Sequence, residues 1–424
     1  MSVPDSRILL IQVSGHDRLG LTHALTQILA KHQVRILDIG QALIHDSVAL
    51  GLLIEGCNTT CDQLRLDLAR AAVDLGVSIT ATSVASEHYT NWVAAQVKQC
   101  YLVTLLGHVI DAGEVAQVSE IITRHGWNID RIERLSSRMP LDCPTPRTCL
   151  EFSISGQDKE EEALRTELMQ SQWTSDIAFQ HDNVFRRTRR LVAFDMDSTL
   201  IQAEVIDELA KLAGVGEQVA AITESAMRGE LDFQQSFRQR VGLLAGLPAA
   251  ALDQVIATIP LTDGAERLIS TLRTLGYKTA ILSGGFTFFG RHLQSKLGID
   301  FLHANELEIV DGKVTGRVVS EIVDGQAKAR HLRAIAEREG ISLEQTIAVG
   351  DGANDLPMLN IAGLGVAFRA KPIVRQSARH SISTLGLDGI LYLLGLPDRD
   401  VPPPLAIATE PAPFALFPTC HEES

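Results

Sequence analysis

Apolar runs alternate with amphipathic stretches over the first 180 residues, in an order that occurs twice. The first copy predicts strands at 7–16, 34–45, 48–55 and 77–84 and helices at 21–32 and 61–75. The second predicts strands at 100–108, 128–137, 148–155 and 176–180 and helices at 114–125 and 162–170. Both copies have the order βαββαβ, which predicts two ferredoxin-like α+β domains.

After residue 190 the pattern changes to short buried strands that alternate with helices. Three strand-like runs end in polar residues, at 191–200, 279–286 and 347–355. This alternation is typical of an α/β fold with a doubly wound parallel sheet. Between the first two runs, from about 201 to 260, the pattern is helical, which predicts a helical cap over the carboxyl edge of that sheet.

The apolar run 191–194 brings two aspartates to the point where its strand should end. Asp195 and Asp197 are two residues apart, a spacing that can turn both carboxylates toward one cleft. That arrangement suits a nucleophile and a proton donor. The alternative for the motif alone is a surface Asp-x-Asp turn, because aspartate favours turns.

Three further elements follow in order. Ser283 and Gly284 follow a strand, where a hydroxyl and bare amides can approach a phosphate closely. Lys328 lies at the start of a predicted helix, and Asp351 and Asp355 follow another strand. Each element alone is compatible with a turn or a solvated lysine. Together, their order and spacing resemble the haloacid dehalogenase superfamily of phosphotransferases.

The resemblance implies a role for each of these residues. Asp195 would be the nucleophile and a ligand of Mg²⁺, and Asp197 would be the general acid and base and bind the metal through its backbone carbonyl. Asp351 would be the second side-chain ligand, with Asp355 close behind. The phosphoryl oxygens would be held by Ser283, the Gly284 amide and Lys328, and the substrate-binding set also includes Asn354.

The predicted cap carries residues that point to a substrate. Glu204, Met227, Phe233 and Arg240 match the pattern of phosphoserine phosphatases, and the segment 190–398 resembles that family as a whole. O-phosphoserine carries an ammonium and a carboxylate beyond its phosphate, so a selective pocket should offer one acid and one base. Glu204 and Arg240 would be that pair. The alternatives are a solvated helix surface for this pair and core positions for Met227 and Phe233.

The two N-terminal repeats resemble a tandem of ACT-type domains, small modules that commonly bind amino acids and pair through their sheets. In the first copy, the loop with Gly15, Asp17 and Gly20 could present amides to a carboxylate, which suggests a regulatory site for L-serine. The loop at 107–113 in the second copy is one residue longer and lacks the Asp-Arg pair. The alternative is that both domains only hold subunits together, and we expect a homodimer.

Composition limits the remaining possibilities. The net charge of −14 argues against a nucleic-acid surface, and the basic segment 186–190 is interpreted as a solvated linker. Six cysteines without paired C-x-x-C spacing suggest neither a zinc site nor a disulfide framework. No apolar stretch approaches the length of a membrane span, so no membrane partner is expected and the protein is predicted to be cytoplasmic.

We therefore expect ACT-type domains at 5–88 and 98–183, a phosphatase domain at 190–398 and an extended or disordered proline-rich tail at 400–424. The expected function is Mg²⁺-dependent hydrolysis of O-phosphoserine in serine biosynthesis. One alternative is a phosphotransferase that uses an alcohol acceptor such as homoserine. The other is a serine-binding regulatory protein with an inactive phosphatase body.

Overall fold

The protein is described from a computed structural model of the 424-residue chain. The structure describes residues 7–56, 58–94, 100–156, 161–319 and 321–401, without the side chains of 58–61 and 227. The chain divides into two compact units, residues 1–98 and 99–424. Most of the predicted tail, from 402 onward, lies outside the described residues. None of the helices described combines the length and the apolar character that a membrane crossing needs.

The first unit is a four-stranded antiparallel sheet with two helices, α1 and α2, on one face, in the strand order β2-β3-β1-β4. On β3, Val48, Leu50, Leu52 and Ile54 are buried in alternation, as expected for a strand with one covered face. The elements are β1 Arg7–His16, α1 Leu21–Lys31, β2 Arg35–Ile44, β3 Ser47–Gly56, α2 Asn58–Leu75, β4 Val77–Val84 and α3 Ser86–Ala94. The helix α3 was not predicted from the sequence.

The second unit begins with another sheet of this kind, in the order β6-β7-β5-β8. Its elements are β5 Cys100–Gly107, α4 Ala112–Arg124, β6 Asn128–Arg134, β7 Thr148–Ser155, α5 Glu161–Gln170 and β8 Asp176–His181. Here both faces of the sheet are covered. Val103 and Leu105 pack in the core of this domain, whereas Leu106, Cys149 and Ala178 belong to the core of the catalytic domain.

The catalytic domain is built on a six-stranded parallel sheet in the order β11-β10-β9-β14-β15-β16. The strands are β9 Leu191–Phe194, β10 Lys278–Phe286, β11 Phe301–Asn305, β14 Thr346–Gly350, β15 Leu364–Phe368 and β16 His380–Ile382. A separate hairpin, which was not predicted, joins β12 Leu307–Val310 to β13 Lys313–Val318.

Helices cover both faces of this sheet, which confirms the predicted doubly wound fold. On β9, Leu191 and Ala193 pack in the core that contains the helix at 325–338, and Val192 and Phe194 pack in the core that contains the helix at 265–274. The helices are α6 Val184–Arg187, α7 Val205–Leu212, α8 Gly216–Met227, α9 Phe233–Gly242, α10 Ala250–Thr258, α11 Ala265–Thr274, α12 Thr287–Leu297, α13 Gly325–Arg338, α14 Leu356–Ile361, α15 Pro372–Ser377 and α16 Ile390–Leu393. Four of them, α7 to α10, form the predicted cap.

The strand order locates the cleft. The chain proceeds from β9 through β10 to β11 on one side, and from β14 through β15 to β16 on the other. The order therefore reverses between β9 and β14, and ligands of doubly wound sheets bind outside the carboxyl ends of the strands at such a point. Asp195 follows β9 and Asp351 follows β14, so the topology brings both aspartates to this crevice.

Polar contacts fix the second ACT-like domain to the catalytic domain. The Arg147 guanidinium donates two hydrogen bonds to the Asp388 carboxylate, at 2.7 and 2.6 Å. Asp176 accepts hydrogen bonds from the backbone amides of Ser383 and Thr384, both at 2.8 Å, and from the Thr384 hydroxyl at 2.6 Å. Such charge-assisted bonds, added to the shared apolar core, hold the two domains in one arrangement.

The prediction that segment 186–190 is a solvated linker was wrong for two of its residues, whereas Arg187, Thr188 and Arg190 are exposed. Arg186 is only 5% exposed and Arg189 only 7%. The segment runs between the second ACT-like domain and the catalytic sheet, and Arg186 donates to the Glu151 carboxylate at 2.5 Å. A run of basic residues in the sequence indicates local positive charge, but it does not reveal that Arg186 pairs with an acidic residue 35 positions earlier.

A stacked histidine pair predicts a pH-dependent stability. The rings of His303 on β11 and His331 on α13 lie with centroids 4.0 Å apart. Burial and the neighbouring His331 lower the pKa of His303 to about 4. Because the unfolded chain binds this proton at higher pH than the folded protein does, stability falls as pH drops from about 6.5 toward 4.

We expect His303→Gln to reduce the loss of stability between pH 7 and pH 5 by about 1 kcal/mol, since one pKa unit is worth about 1.4 kcal/mol and partial exposure weakens the effect. Thermal unfolding at both pH values measures this. His108→Gln, which removes an exposed histidine of the same unit, is the control. An identical pH dependence in the wild type and His303→Gln would contradict the prediction.

Candidate active site

Asp195 lies where β9 ends, at the base of a cavity of about 660 Å³. Its backbone amide donates to the Val349 carbonyl at 2.8 Å, and its side chain accepts from the Met196 amide at 2.7 Å. The next turn contains Ser198 with φ of 55°, and Asp197 lines the same cavity. The two carboxylates predicted from the sequence therefore share one cleft.

Lys328 is fully buried beneath this cleft, near the start of α13. Its ammonium contacts the Asp195 carboxylate at 2.8 Å and the Asp355 carboxylate at 2.6 Å. Burial alone would lower the pKa of Lys328, but the two carboxylates outweigh burial and raise it. Lys328 is therefore a fixed positive charge beside the predicted nucleophile.

Three carboxylates converge around this lysine. Oxygen atoms of Asp195, Asp351 and Asp355 all lie within 4.8 Å of one another. Burial and the charge of Asp195 raise the pKa of Asp351 to about 8 and that of Asp355 to about 7. One lysine does not offset three carboxylates in a buried site. A set of hard oxygen donors with excess negative charge fits a divalent cation.

Asp355 was expected only close behind the metal ligands, whereas its carboxylate is part of this cluster. The carboxylate of Asp197 is not part of it. The metal role expected of Asp197 rests on its backbone carbonyl and stays a prediction. Thr199 donates a hydrogen bond from its hydroxyl to Asp351 at 3.4 Å, which helps to orient that carboxylate.

Asp197 has a different environment from Asp195. Burial, together with the charges of Glu204 and Asp195, raises the pKa of Asp197 well above its usual value. Its side chain accepts a hydrogen bond from the Val205 amide at 3.3 Å. A carboxyl group that keeps its proton beside an ion-paired carboxylate suits the role of proton donor.

The end of β10 supplies the side of the cavity that could hold a phosphate. Ser283 is fully buried, and its hydroxyl accepts a hydrogen bond from the Gly285 amide at 2.9 Å. A Cβ atom on Gly285 would lie 2.6 Å from a carboxylate oxygen of Asp197, and one on Gly284 would lie 3.1 Å from the Phe233 ring. Glycine is needed at Gly285 so that the strand end can approach the carboxyl group this closely.

Asn305 supports this loop and was not assigned a role from the sequence. It is fully buried, donates to the Gly284 carbonyl at 2.7 Å and accepts from the Val323 amide at 2.9 Å. The residue lies in a segment that matched the family pattern, but its contacts are with the backbone and leave no signal in spacing. Asn354, which was predicted, and Lys371, which was not, also line the cavity.

The cap contributes the opposite wall. Glu204, Phe233 and Arg240, which the sequence suggested as substrate contacts, line the same cavity, while the side chain of Met227 lies outside the described residues. Glu204 accepts a hydrogen bond from the Ser198 hydroxyl at 2.8 Å, and burial raises its pKa. The Nε atom of Arg240 is buried and has no hydrogen-bond partner among the described residues. An acid and a base therefore face the space above the aspartates.

The fold and the site define a hydrolase of the haloacid dehalogenase-like class, preceded by two ACT domains. The haloacid dehalogenase-like hydrolase family matches residues 189–363, and ACT-domain families match residues 7–82 and 100–180. A phosphoserine phosphatase from Streptomyces coelicolor is 44% identical over 400 residues, which cover 94% of each chain. One from Mycobacterium tuberculosis is 42% identical over 403 residues, covering 93% of this chain and 94% of the other. The chain belongs to the phosphoserine phosphatase family, which confirms the predicted resemblance.

Solved structures agree on the fold. A haloacid dehalogenase-family hydrolase from Salmonella enterica serovar Typhi superposes with a TM-score of 0.59 at 30% identity, covering 69% of this chain and 98% of the other. A probable phosphoserine phosphatase from Vibrio cholerae superposes with a TM-score of 0.53 at 36% identity, covering 71% and 87%.

Proposed function

We propose that this chain hydrolyses O-phospho-L-serine to L-serine and phosphate through an aspartyl-phosphate on Asp195. The observation that carries the proposal is the pairing of Asp195 with Lys328 at 2.8 Å beside an Asp197 whose pKa is raised. The acid and base of the cap, Glu204 and Arg240, complete a cavity of suitable chemistry for an amino-acid phosphate ester. The product places the reaction in serine biosynthesis.

In the first half-reaction, the Asp195 carboxylate forms a bond to phosphorus while the bond from phosphorus to the serine oxygen breaks. Asp197 gives its proton to that oxygen, and serine leaves as the neutral alcohol. In the second half-reaction, Asp197 takes a proton from water as the water attacks phosphorus and releases Asp195. The ammonium of Lys328, the Ser283 hydroxyl and the Gly284 amide hold the phosphoryl oxygens throughout.

We propose Mg²⁺ as the cation that Asp195, Asp351 and Asp355 would hold, together with the backbone carbonyl of Asp197. The donors are all oxygen, the type that Mg²⁺ prefers. When bound, the ion would offset the negative charge that builds up on the phosphoryl group.

Phosphate release from O-phosphoserine, measured with Mg²⁺ and again after chelation by EDTA, tests the function and the metal. We expect turnover that depends on the added metal. Adding homoserine distinguishes the phosphotransferase, because transfer to that alcohol would yield phosphohomoserine and lower the release of free phosphate. If the protein binds serine but releases no phosphate from O-phosphoserine, the result would instead favour a serine-binding regulatory protein.

Substrate selectivity tests the cap residues. Glu204→Gln and Arg240→Ala are expected to lower kcat/KM for O-phosphoserine by about 10- to 150-fold, because each loses a charge-assisted contact worth about 1.5–3 kcal/mol. Ethyl phosphate, which lacks the amino-acid groups, should be affected much less. Arg238→Ala on the exposed side of α9 is the matched control. Equal losses on both esters would mean that the two residues shape the cap without recognising the substrate.

We further propose that L-serine regulates the enzyme at the first ACT domain. In the loop after β1, the Asp17 amide donates to the Asp46 carbonyl at 2.7 Å, and Gly20 has φ of 85° just before α1. No described atom lies within 4 Å of a Cβ placed on Gly20, so the loop has room for a small ligand.

Asp17→Ala is expected to relieve the non-competitive part of serine inhibition and to leave competitive inhibition at the catalytic cavity. Steady-state kinetics at several serine concentrations separate the two, with Asp130→Ala in the second ACT domain as the control. Removal of both ACT domains is a poor test, because the second shares its core with the catalytic domain. If serine inhibits Asp17→Ala in the same way as the wild type, the first ACT domain does not sense serine and serves only in assembly.

We propose a homodimer in which the first ACT domain contributes the interface through its exposed edge strand, β2. On β2, Ile39, Leu43 and Ile44 are 50%, 49% and 75% exposed. Light scattering should give twice the chain mass, and Leu43→Asp should lower it. We also propose a cytoplasmic location, which the free thiols of Cys143 and Cys149 support.

A further inference from the structure

A second cavity, of about 530 Å³, lies between the second ACT domain and the catalytic domain. Its walls come from β8 and α5 on one side and from the ends of α14 and β16 on the other. Its lining includes three arginines and two phenylalanines, Arg165, Arg189, Arg379, Phe179 and Phe185. None of these lines the catalytic cavity, and neither the proposed reaction nor the family resemblance gives them a role.

Arg189 is the unusual residue of this cavity. It is 93% buried, yet its Nε and Nη1 atoms have no hydrogen-bond partner among the described residues. Its Nη2 atom donates a long hydrogen bond to the Gln180 side-chain oxygen, at 3.5 Å. Burial and the nearby Arg186 lower the pKa of Arg189 to about 10, an effect that Tyr277 offsets only in part. A buried guanidinium without a carboxylate is costly unless something else neutralises it.

The acidic residues that line the cavity have other partners or an exposed position. Glu161 accepts a hydrogen bond from the Tyr101 hydroxyl at 2.7 Å, and Glu162 pairs with Arg165 at 3.3 Å. Glu344 lies on the exposed rim. By contrast, the buried guanidinium of Arg186 forms an ion pair with the buried carboxylate of Glu151. The described part of the chain supplies no such group for Arg189.

We propose that this cavity binds a small organic anion, whose carboxylate or phosphate group is held by Arg189. Arg189 lines the cavity, whereas its unpartnered Nε and Nη1 atoms are closed off from solvent, so the anion would bind the part of the guanidinium that faces the cavity and neutralise its charge. Arg379, exposed at the rim, adds a second positive charge. The cavity is larger than a bare oxyanion needs, and Phe179 and Phe185 are among its lining residues, so the ligand has room for a small carbon skeleton.

The site also connects the two domains physically. Asn360 and Ile361, at the end of α14, line the cavity, and α14 begins directly after Asp355 of the carboxylate cluster. A bound anion would contact both domains at once and so stabilise their docked arrangement by binding the folded form alone.

Isothermal titration of the full-length protein with succinate, and separately with inorganic phosphate, tests the proposal. Four proteins are compared in EDTA at constant ionic strength: the wild type, Arg189→Met, Arg379→Gln and Arg333→Gln. Arg333 is an exposed residue of α13 that does not line the cavity, and its variant is the control. We expect at least one probe to bind the wild type and the control equally, and to bind Arg189→Met about tenfold more weakly or worse. Arg379→Gln should show a smaller loss.

Succinate binding alone would identify a carboxylate ligand, and phosphate binding alone a phosphate ligand. Because phosphate also has access to the catalytic cavity, only the part of its binding that Arg189→Met removes counts in favour of the site. If neither probe binds the wild type, or if both arginine variants bind as the wild type does, the proposal is overturned. Should Arg189→Met fail to fold, the comparison of Arg379→Gln with Arg333→Gln decides in the same way.

Discussion

Asp195→Asn is expected to lower phosphate release from O-phosphoserine by at least about a thousandfold, because an amide is a poor nucleophile and a weaker metal ligand. The fold should survive. Asparagine has the same shape as aspartate. Its side-chain oxygen can still accept the hydrogen bond that the Met196 amide donates to Asp195, at 2.7 Å in the wild type. The measurements are the release rate at saturating substrate and the thermal unfolding midpoint.

Asp253→Asn provides a matched control, since it changes an exposed aspartate of the cap helix α10. It should keep full activity. A rate for Asp195→Asn within about a hundredfold of the wild type would remove Asp195 from the nucleophilic role. Rapid acid quenching and mass spectrometry add a direct readout, because a phosphoryl group trapped on any residue other than Asp195 would contradict the mechanism.

The fold was predictable from the sequence because its signals are local. Val48, Leu50, Leu52 and Ile54 alternate with exposed positions on β3, and this period of two gave the strand and its covered face. The near-continuous apolar run of β5 had a second cause that the sequence did not reveal. Its other face is covered by the catalytic domain, through residues such as Leu106.

Predictions failed where the outcome depends on distant partners. Arg186 and Arg189 belong to a basic segment that looks solvated, and their burial depends on Glu151 and on a cavity formed by two domains. Asn305 acts through a backbone carbonyl, which has no sequence signature. By contrast, Asp195, Asp351 and their neighbours follow strand ends, and the topology of a parallel sheet brings such positions together.

Lys328→Met is expected to damage both stability and turnover, because Lys328 is buried between two carboxylates. Removing one partner of a buried ion pair typically costs about 3–5 kcal/mol, since the remaining charge is left without compensation. Turnover should fall by at least about a hundredfold, because the phosphoryl group loses a fixed positive charge. Chemical denaturation and phosphate release measure the two effects, and Lys211→Met on the cap surface should leave both nearly unchanged.

The double variant Lys328→Met with Asp355→Asn separates charge from packing. In the wild type, the Asp355 carboxylate lies 2.6 Å from the Lys328 ammonium. If Lys328→Met loses stability because this carboxylate is left uncompensated, then neutralising Asp355 should restore about 1–3 kcal/mol of stability. Turnover should stay low, because the lysine charge is still missing. Strictly additive losses in stability would instead mean that Lys328 contributes through its buried methylene chain, and that the carboxylates are neutralised by another group.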